Sequence, residues 1–100
     1  MSRFTSFDTN KGFRVQNLTN QDVYLKTGDG NATDSFTKIG GTETSNIFTA
    51  AQDYPLLDAA KEDADLYLTI KVNGVSGSVT ITSGNVSKGV GKFIVTTNFT

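Results

Sequence analysis

The 100-residue chain contains no histidine and no cysteine. That inventory removes Ser-His-Asp and Cys-His nucleophile systems, zinc sites of the ordinary type and most haem ligation. Tryptophan is also absent, and with it the strongest stacking platform for sugars and cations. Carboxylate chemistry, serine–lysine pairs and oxygen-ligand metals remain. A glycosidase-like pair needs two acids facing each other across a cleft, whereas the acids here crowd into one short stretch. Ser87-Lys88 and Ser76 offer the atoms of a Ser-Lys dyad, but adjacent residues do not face each other at an active centre. No catalytic residue is assigned, and a non-enzymatic protein is expected.

Among metals, calcium fits the inventory best. Asp29-Gly30-Asn31-Ala32-Thr33-Asp34 resembles the opening of an EF-hand loop. It departs from that pattern at the sixth position, where glycine is replaced by Asp34, and at the twelfth, where glutamate is replaced by Gly40. A polar β-loop is the favoured reading. Glu62, Asp63 and Asp65 form a second, equally incomplete oxygen cluster. Gly40-Gly41 and Gly89-Val90-Gly91 match neither a phosphate loop nor a dinucleotide fingerprint and read as turns or bulges. Asn-X-Ser/Thr sequons at Asn17, Asn31, Asn85 and Asn98 are what chance gives in a chain rich in threonine, serine and asparagine. No metal or cofactor is assigned.

Charge says more about contact than about chemistry. Nine basic and ten acidic residues give a net charge of −1, without the basic excess of a nucleic-acid binder. Phe93 beside Lys92, and Tyr67 opposite Thr80, make only a thin version of an aromatic and basic strand surface. Five acids and one base lie between Asp53 and Asp65, and from Leu66 onward there are three lysines and no acid. One reading is an acidic solvated helix beside a weakly basic sheet. The sharper reading is that Asp58, Glu62 and Asp65 of one copy meet Lys71, Lys88 and Lys92 of the next.

These residues must be carried by a single domain, which is what a chain of this length supports. Met1 to Gly12 reads as an N-terminal arm docking through Phe4 and Phe7, ahead of a β-rich domain over residues 13–100. Phe13 to Thr27 reads as a hairpin. Phe13 and Val15 alternate with Arg14 and Gln16, Val23 and Leu25 alternate with Tyr24 and Lys26, and an odd loop sets Val15 opposite Leu25. Asn20 is the expected left-handed residue of that loop. Gly28 to Thr44 is the loosest segment and the expected mobile loop. Within it Phe36 and Ile39 hold a short strand, and Thr44 to Phe48 holds another. A helix is expected over 55–64, with Leu56, Leu57 and Ala60 as its apolar stripe and Pro55 at its start.

Leu66 to Val72, Asn73-Gly74 and Val75 to Thr82 read as a hairpin with a two-residue type I′ turn. That register pairs Val72 with Val75, Ile70 with Gly77, Leu68 with Val79 and Leu66 with Ile81, giving one buried aliphatic face. Lys92 to Thr97 returns as a strand, with Phe93 and Val95 on one face and Ile94 on the other, completing a three-stranded meander from Leu66 to Phe99. The expected fold is mainly β: a small antiparallel β-sandwich or partial barrel with one short helix.

The order Phe13-Arg14-Val15-Gln16-Asn17, Val23-Tyr24-Leu25, Ile39-Gly40-Gly41-Thr42, Tyr54-Pro55-Leu56-Leu57-Asp58-Ala59-Ala60 and a strand entering at Leu66 resembles the small β-rich accessory proteins of tailed-phage particles, such as decoration, head-fibre or head–tail components. The resemblance is one of style over residues 13–72 and transfers no functional residue. It implies a structural virion role in multiple copies, with a homo-oligomer or a capsid or tail lattice as protein partner, in the virion or the host cytoplasm. No apolar run reads as a signal peptide or a membrane span. The competing expectation is a soluble recognition domain for carbohydrate or membrane lipid, binding through the loops Gly28–Asp34 and Ser83–Lys88.

Overall fold

The computed structural model describes residues 12–28, 33–75, 77–85 and 90–97. Seven antiparallel strands form two sheets that do not close into a barrel. The chain is mainly β, as its alternating apolar patterns require. The larger sheet runs in the order β3 (Phe36–Ile39), β2 (Val23–Lys26), β4 (Asp53–Leu57), β5 (Leu66–Val72), β6 (Val79–Ser83). The smaller pairs β1 (Phe13–Asn17) with β7 (Phe93–Thr97). Bridges from Phe13 to Phe48 and from Gln16 to Thr44 lay the 44–48 segment along the other side of β1.

The core lies between the sheets. Phe13, Val15 and Phe93 from the smaller sheet meet Val23, Leu25, Ile39, Tyr54, Leu56, Leu68, Ile70 and Val72 from the larger. The join is aromatic: the Phe13 ring packs edge-on against Tyr54 at 4.8 Å, and Phe48 contacts both. A second bridge sets Tyr67 edge-on to Phe93 at 5.1 Å. Strict alternation would turn Tyr67 away from the Leu68 and Ile70 side. The β4–β5 register slips between Leu56–Leu68 and Leu57–Leu66, and this bulge leaves Tyr67 without a partner on β4 and re-aims its ring.

Five expectations are corrected by this topology. The expected helix over 55–64 is absent. Residues 53–57 are a strand, and 58–64 are turns closed by Asp58 N to Asp65 O, Lys61 N to Ala59 O and Ala64 N to Lys61 O. Ala59, Ala60 and Ala64 offer too little apolar area to hold a helix against the core, while Tyr54 and Leu56 bury fully on a strand. Pro55 fits there despite its central position. Val72 N bonds to Gln52 O, and by alternation Pro55 turns its missing N–H away from β5 and towards β2. The β2–β4 ladder ends at Leu25–Leu56, one residue short of Pro55.

The expected hairpin of β1 with β2 does not form. β1 pairs with β7, Val15 facing Val95, and β2 pairs with β3 and β4. Residues 18–22 therefore cross between sheets, and the non-glycine residue with positive φ among those described is Thr42, at 65°, not Asn20. The meander also stops at two strands, because β7 leaves β6 for β1.

β5 and β6 do pair, but in a register four residues from the expected one. Val72 faces Val79 instead of Val75, and Ile70 faces Ile81. The turn is a wider loop in which Asn73 N donates to Ser78 O, Gly77 N to Asn73 O, and Val75 N to the Asn73 side chain. The expected register set Gly77, between two serines, in mid-strand against Ile70. These are weak strand formers, and Gly77 instead takes φ +74°, a left-handed turn position. The shift is even, so inward and outward faces are preserved. Of the seven aliphatics expected on one buried face, Leu68, Ile70 and Val72 are buried, Leu66 and Val79 are half-buried, and Val75 and Ile81 are exposed.

Candidate interaction surface

Asn17 closes the end of β1 and is fully buried. Its Nδ2 donates to the carbonyls of Gln21, Ile39 and Gly40 at 2.8, 3.2 and 3.1 Å, and its Oδ1 accepts from Thr19 N and Thr19 Oγ1 at 2.9 and 2.7 Å. One side chain thereby joins β1, the 18–22 crossing and the turn after β3. The turn is drawn so close that a Cβ on Gly41 would lie 2.6 Å from the Asn20 carbonyl carbon, so only glycine fits there. Thr42, bonded through its N–H to Thr19 O, takes its positive φ at this crossing point. A β-branched residue is strained there. Thr42→Gly should therefore raise stability by about 0.5–1 kcal/mol, the relief of strain exceeding the entropy gained by the unfolded chain. Equilibrium urea unfolding reads this directly.

Beside this knot lies an open depression of about 430 Å³ lined by Leu18, Thr19, Asn20, Thr42, Gly91 and Lys92. It joins one cation to two threonines, one amide and an exposed leucine. Lys92 stands in the short 3-10 turn Val90–Lys92, directly before β7.

The expected contact residues fall into separate places. Asp58, Glu62 and Asp65 share the turn region between β4 and β5, where Asp65 N donates to Asp58 Oδ1 at 3.0 Å. Glu62 sits 3.9 Å from Lys26 of β2, the glutamate exposed and the lysine side chain half-buried, and a pair this open to water contributes about 0–1 kcal/mol. Lys71 is exposed on the outer face of β5 and pairs in the ladder with Asp53 and Thr80. Lys88 and the loop residues 29–32 lie outside the described residues. The acids meet one aromatic: burial first, then the charges of Asp58 and Asp65, push the Tyr67 phenol above its ordinary range. Among the described residues no three acidic side chains cluster in a way that could hold a metal ion.

The sheet edges carry the feature that residue-by-residue reading missed. Between Lys71 and Lys88 the chain runs sixteen residues without a charge, and β6 lies within that run. β6 is the outer strand of the five-stranded sheet, paired on one side only among the described residues, and Thr80, Ile81, Thr82 and Ser83 are all exposed. Its hydrogen-bond phase follows from Asn73 N to Ser78 O and Gly84 N to Tyr67 O. Thr80 and Thr82 direct their N–H and C=O groups to β5, while Val79, Ile81 and Ser83 direct theirs outward. The opposite edge, β3, carries the exposed Lys38, a charge that discourages further pairing. β6 has no such guard.

No family model, no curated protein and no solved structure matches the chain. The fold and surfaces define a small two-sheet antiparallel β protein with an unguarded sheet edge, and no described helix is long and apolar enough to cross a membrane.

Proposed function

We propose that this chain is a non-enzymatic structural or assembly protein that works in multiple copies, as an accessory component of a phage particle. The observation that supports it is the β6 edge: a row of backbone donors and acceptors, flanked by exposed β-branched side chains and no charge, is a surface that pairs with another chain. Partners are proteins, and contact through a β-sheet element is the mode. The acidic turns 58–65 and Lys71 supply polar margins that set orientation more than affinity.

Co-sedimentation with tailed-phage particles, together with sedimentation velocity of the full chain alone, tests this reading. Self-association, or docking onto the particle, is the expected result. A chain that stays monomeric and leaves the particle unbound overturns it.

A second reading, recognition of a carbohydrate, is favoured by the depression at Leu18 and Lys92. Its volume falls within the range of small-molecule sites, and its hydroxyls, amide and single exposed leucine suit a sugar better than a lipid chain. A glycan array on the full chain tests it, and a blank array removes it.

A further inference from the structure

We infer that β6 pairs with β6 of a second copy across a two-fold axis at Ile81, joining two five-stranded sheets into one. The inference rests on the assembly reading and gives it a seam and a register.

The partner is a second copy because β6 is complementary to itself. Val79, Ile81 and Ser83 turn their backbone groups outward, as their phase in the β5–β6 ladder requires. An antiparallel two-fold through Ile81 sets Ile81 against its mate, and Val79 against Ser83 in both directions. Each of these pairings is a hydrogen-bonded one and exchanges both bonds. Every outward donor and acceptor of β6 then has a partner. A register displaced by one residue would set outward groups against inward ones.

The side chains agree with this register on both faces. Ile81, 48% exposed, lies opposite Ile70 on the core side of the sheet. Beside its mate it would extend the apolar row and lose its water contact. On the outer face Thr80 lies opposite Thr82 of the mate. The row across the seam then reads Asp53, Lys71, Thr80 from one copy and Thr82, Thr69, Pro55 from the other. Each lysine meets threonines and not the other lysine, so no like charges oppose each other. A charged partner strand would find nothing on β6 to neutralise it. β7, the other uncharged strand with an unpaired side among the described elements, is a poorer seam: Lys92 stands at its start, and Phe93 is buried in the core.

The full chain is expected to sediment as a dimer, with Ile81→Lys weakening the dimer at least about 100-fold, because two lysines would then face each other across the axis. Circular dichroism should be unchanged, since residue 81 already meets solvent in one copy. A Thr80→Cys/Thr82→Cys double variant, in a chain with no other cysteine, should form inter-chain disulfides on mild oxidation. The two positions face each other at a non-hydrogen-bonded pair, where Cα atoms approach to about 4.5 Å. Ile94→Cys on β7 should remain monomeric on a non-reducing gel. A wild-type chain monomeric up to about 1 mM, a dimer indifferent to Ile81→Lys, or a double-cysteine variant that does not cross-link each overturns the seam. If the monomer nevertheless docks onto a particle, the seam alone fails and the assembly reading stands. If it neither self-associates nor docks, both fail.

Discussion

Asn17→Leu should cost about 3 kcal/mol or more of folding stability while changing side-chain volume little. Leucine would fill the space but leave the N–H of Thr19 without its bond and take one donor each from the carbonyls of Ile39 and Gly40, which keep Val23 N of the β2–β3 ladder and Glu43 N. A buried group stripped of its partner costs about 1–3 kcal/mol, and each bond lost from a group that keeps another partner adds about 0.5–1.5 kcal/mol. The loss should be local as well as global. Amide exchange at Leu18 and Thr42, whose N–H groups bond to Lys92 O and Thr19 O, should accelerate more than exchange at Ile70. Asn17→Asp separates donor from acceptor. It keeps the oxygen that serves Thr19 but sets a second oxygen against three carbonyls, so protonation of the new carboxyl is favoured in the folded state and its pKa is raised there. Stability should then be greatest below the ordinary aspartate value of about 3.9 and fall as pH rises through the folded value. Urea unfolding at acid and neutral pH measures it. Equal stability of Asn17→Leu and wild type would mean the knot is ornamental.

What the sequence discloses and what it withholds divide along one physical line. Alternation reports which side of a strand is wet, and by that signal β1, β2, β5 and β7 are visible. It does not report which strand lies alongside, so β1 was expected beside β2 and β7 beside β6. The pairing is decided by residues such as Asn17, whose five side-chain bonds turn the chain from one sheet to the other. In sequence that residue is one more polar letter before a loop.

The 53–57 strand was hidden for a related reason. Leu56, Leu57 and Ala60 fit a helical stripe, and the acids beyond them fit its wet face. The deciding fact, that Tyr54 packs between Phe13 and Phe48, involves in Phe13 a partner forty-one residues earlier. The Asn73-Gly74 signal was real but short-ranged: it located the turn, while Gly77 set its width. The charge split of the second half was legible too, yet the more useful pattern was the gap between Lys71 and Lys88. Its meaning depends on β6 being an edge, which alternation cannot show.

The largest loss among single substitutions should come from Tyr54→Ala, about 3–5 kcal/mol. That is a substantial share of the 5–15 kcal/mol typical of whole domains. Tyr54 is 2% exposed, stands on β4 of the larger sheet, and touches the Phe13 and Phe48 rings of the other layer. Its removal opens a cavity where the two sheets are joined. Tyr54→Phe keeps the ring contacts and loses only the bond from the phenol to Ala50 O at 2.7 Å, so about 1 kcal/mol is expected. The pair of variants therefore separates packing from polarity. A third observation follows from the proton. Burial raises the Tyr54 phenol above its ordinary range, so the folded state holds that proton at pH values where the unfolded chain has released it. The associated stability is fully present below the unfolded value of about 10 and is lost as pH rises from there through the folded value. Wild type should accordingly destabilise on alkaline titration above about pH 10, with Tyr67, raised in the same direction, adding to the slope. In Tyr54→Phe the slope should be shallower and in Tyr54→Phe/Tyr67→Phe shallower still, measured as urea midpoint against pH. An alkaline slope unchanged in the double variant would show that neither phenol is held by the fold.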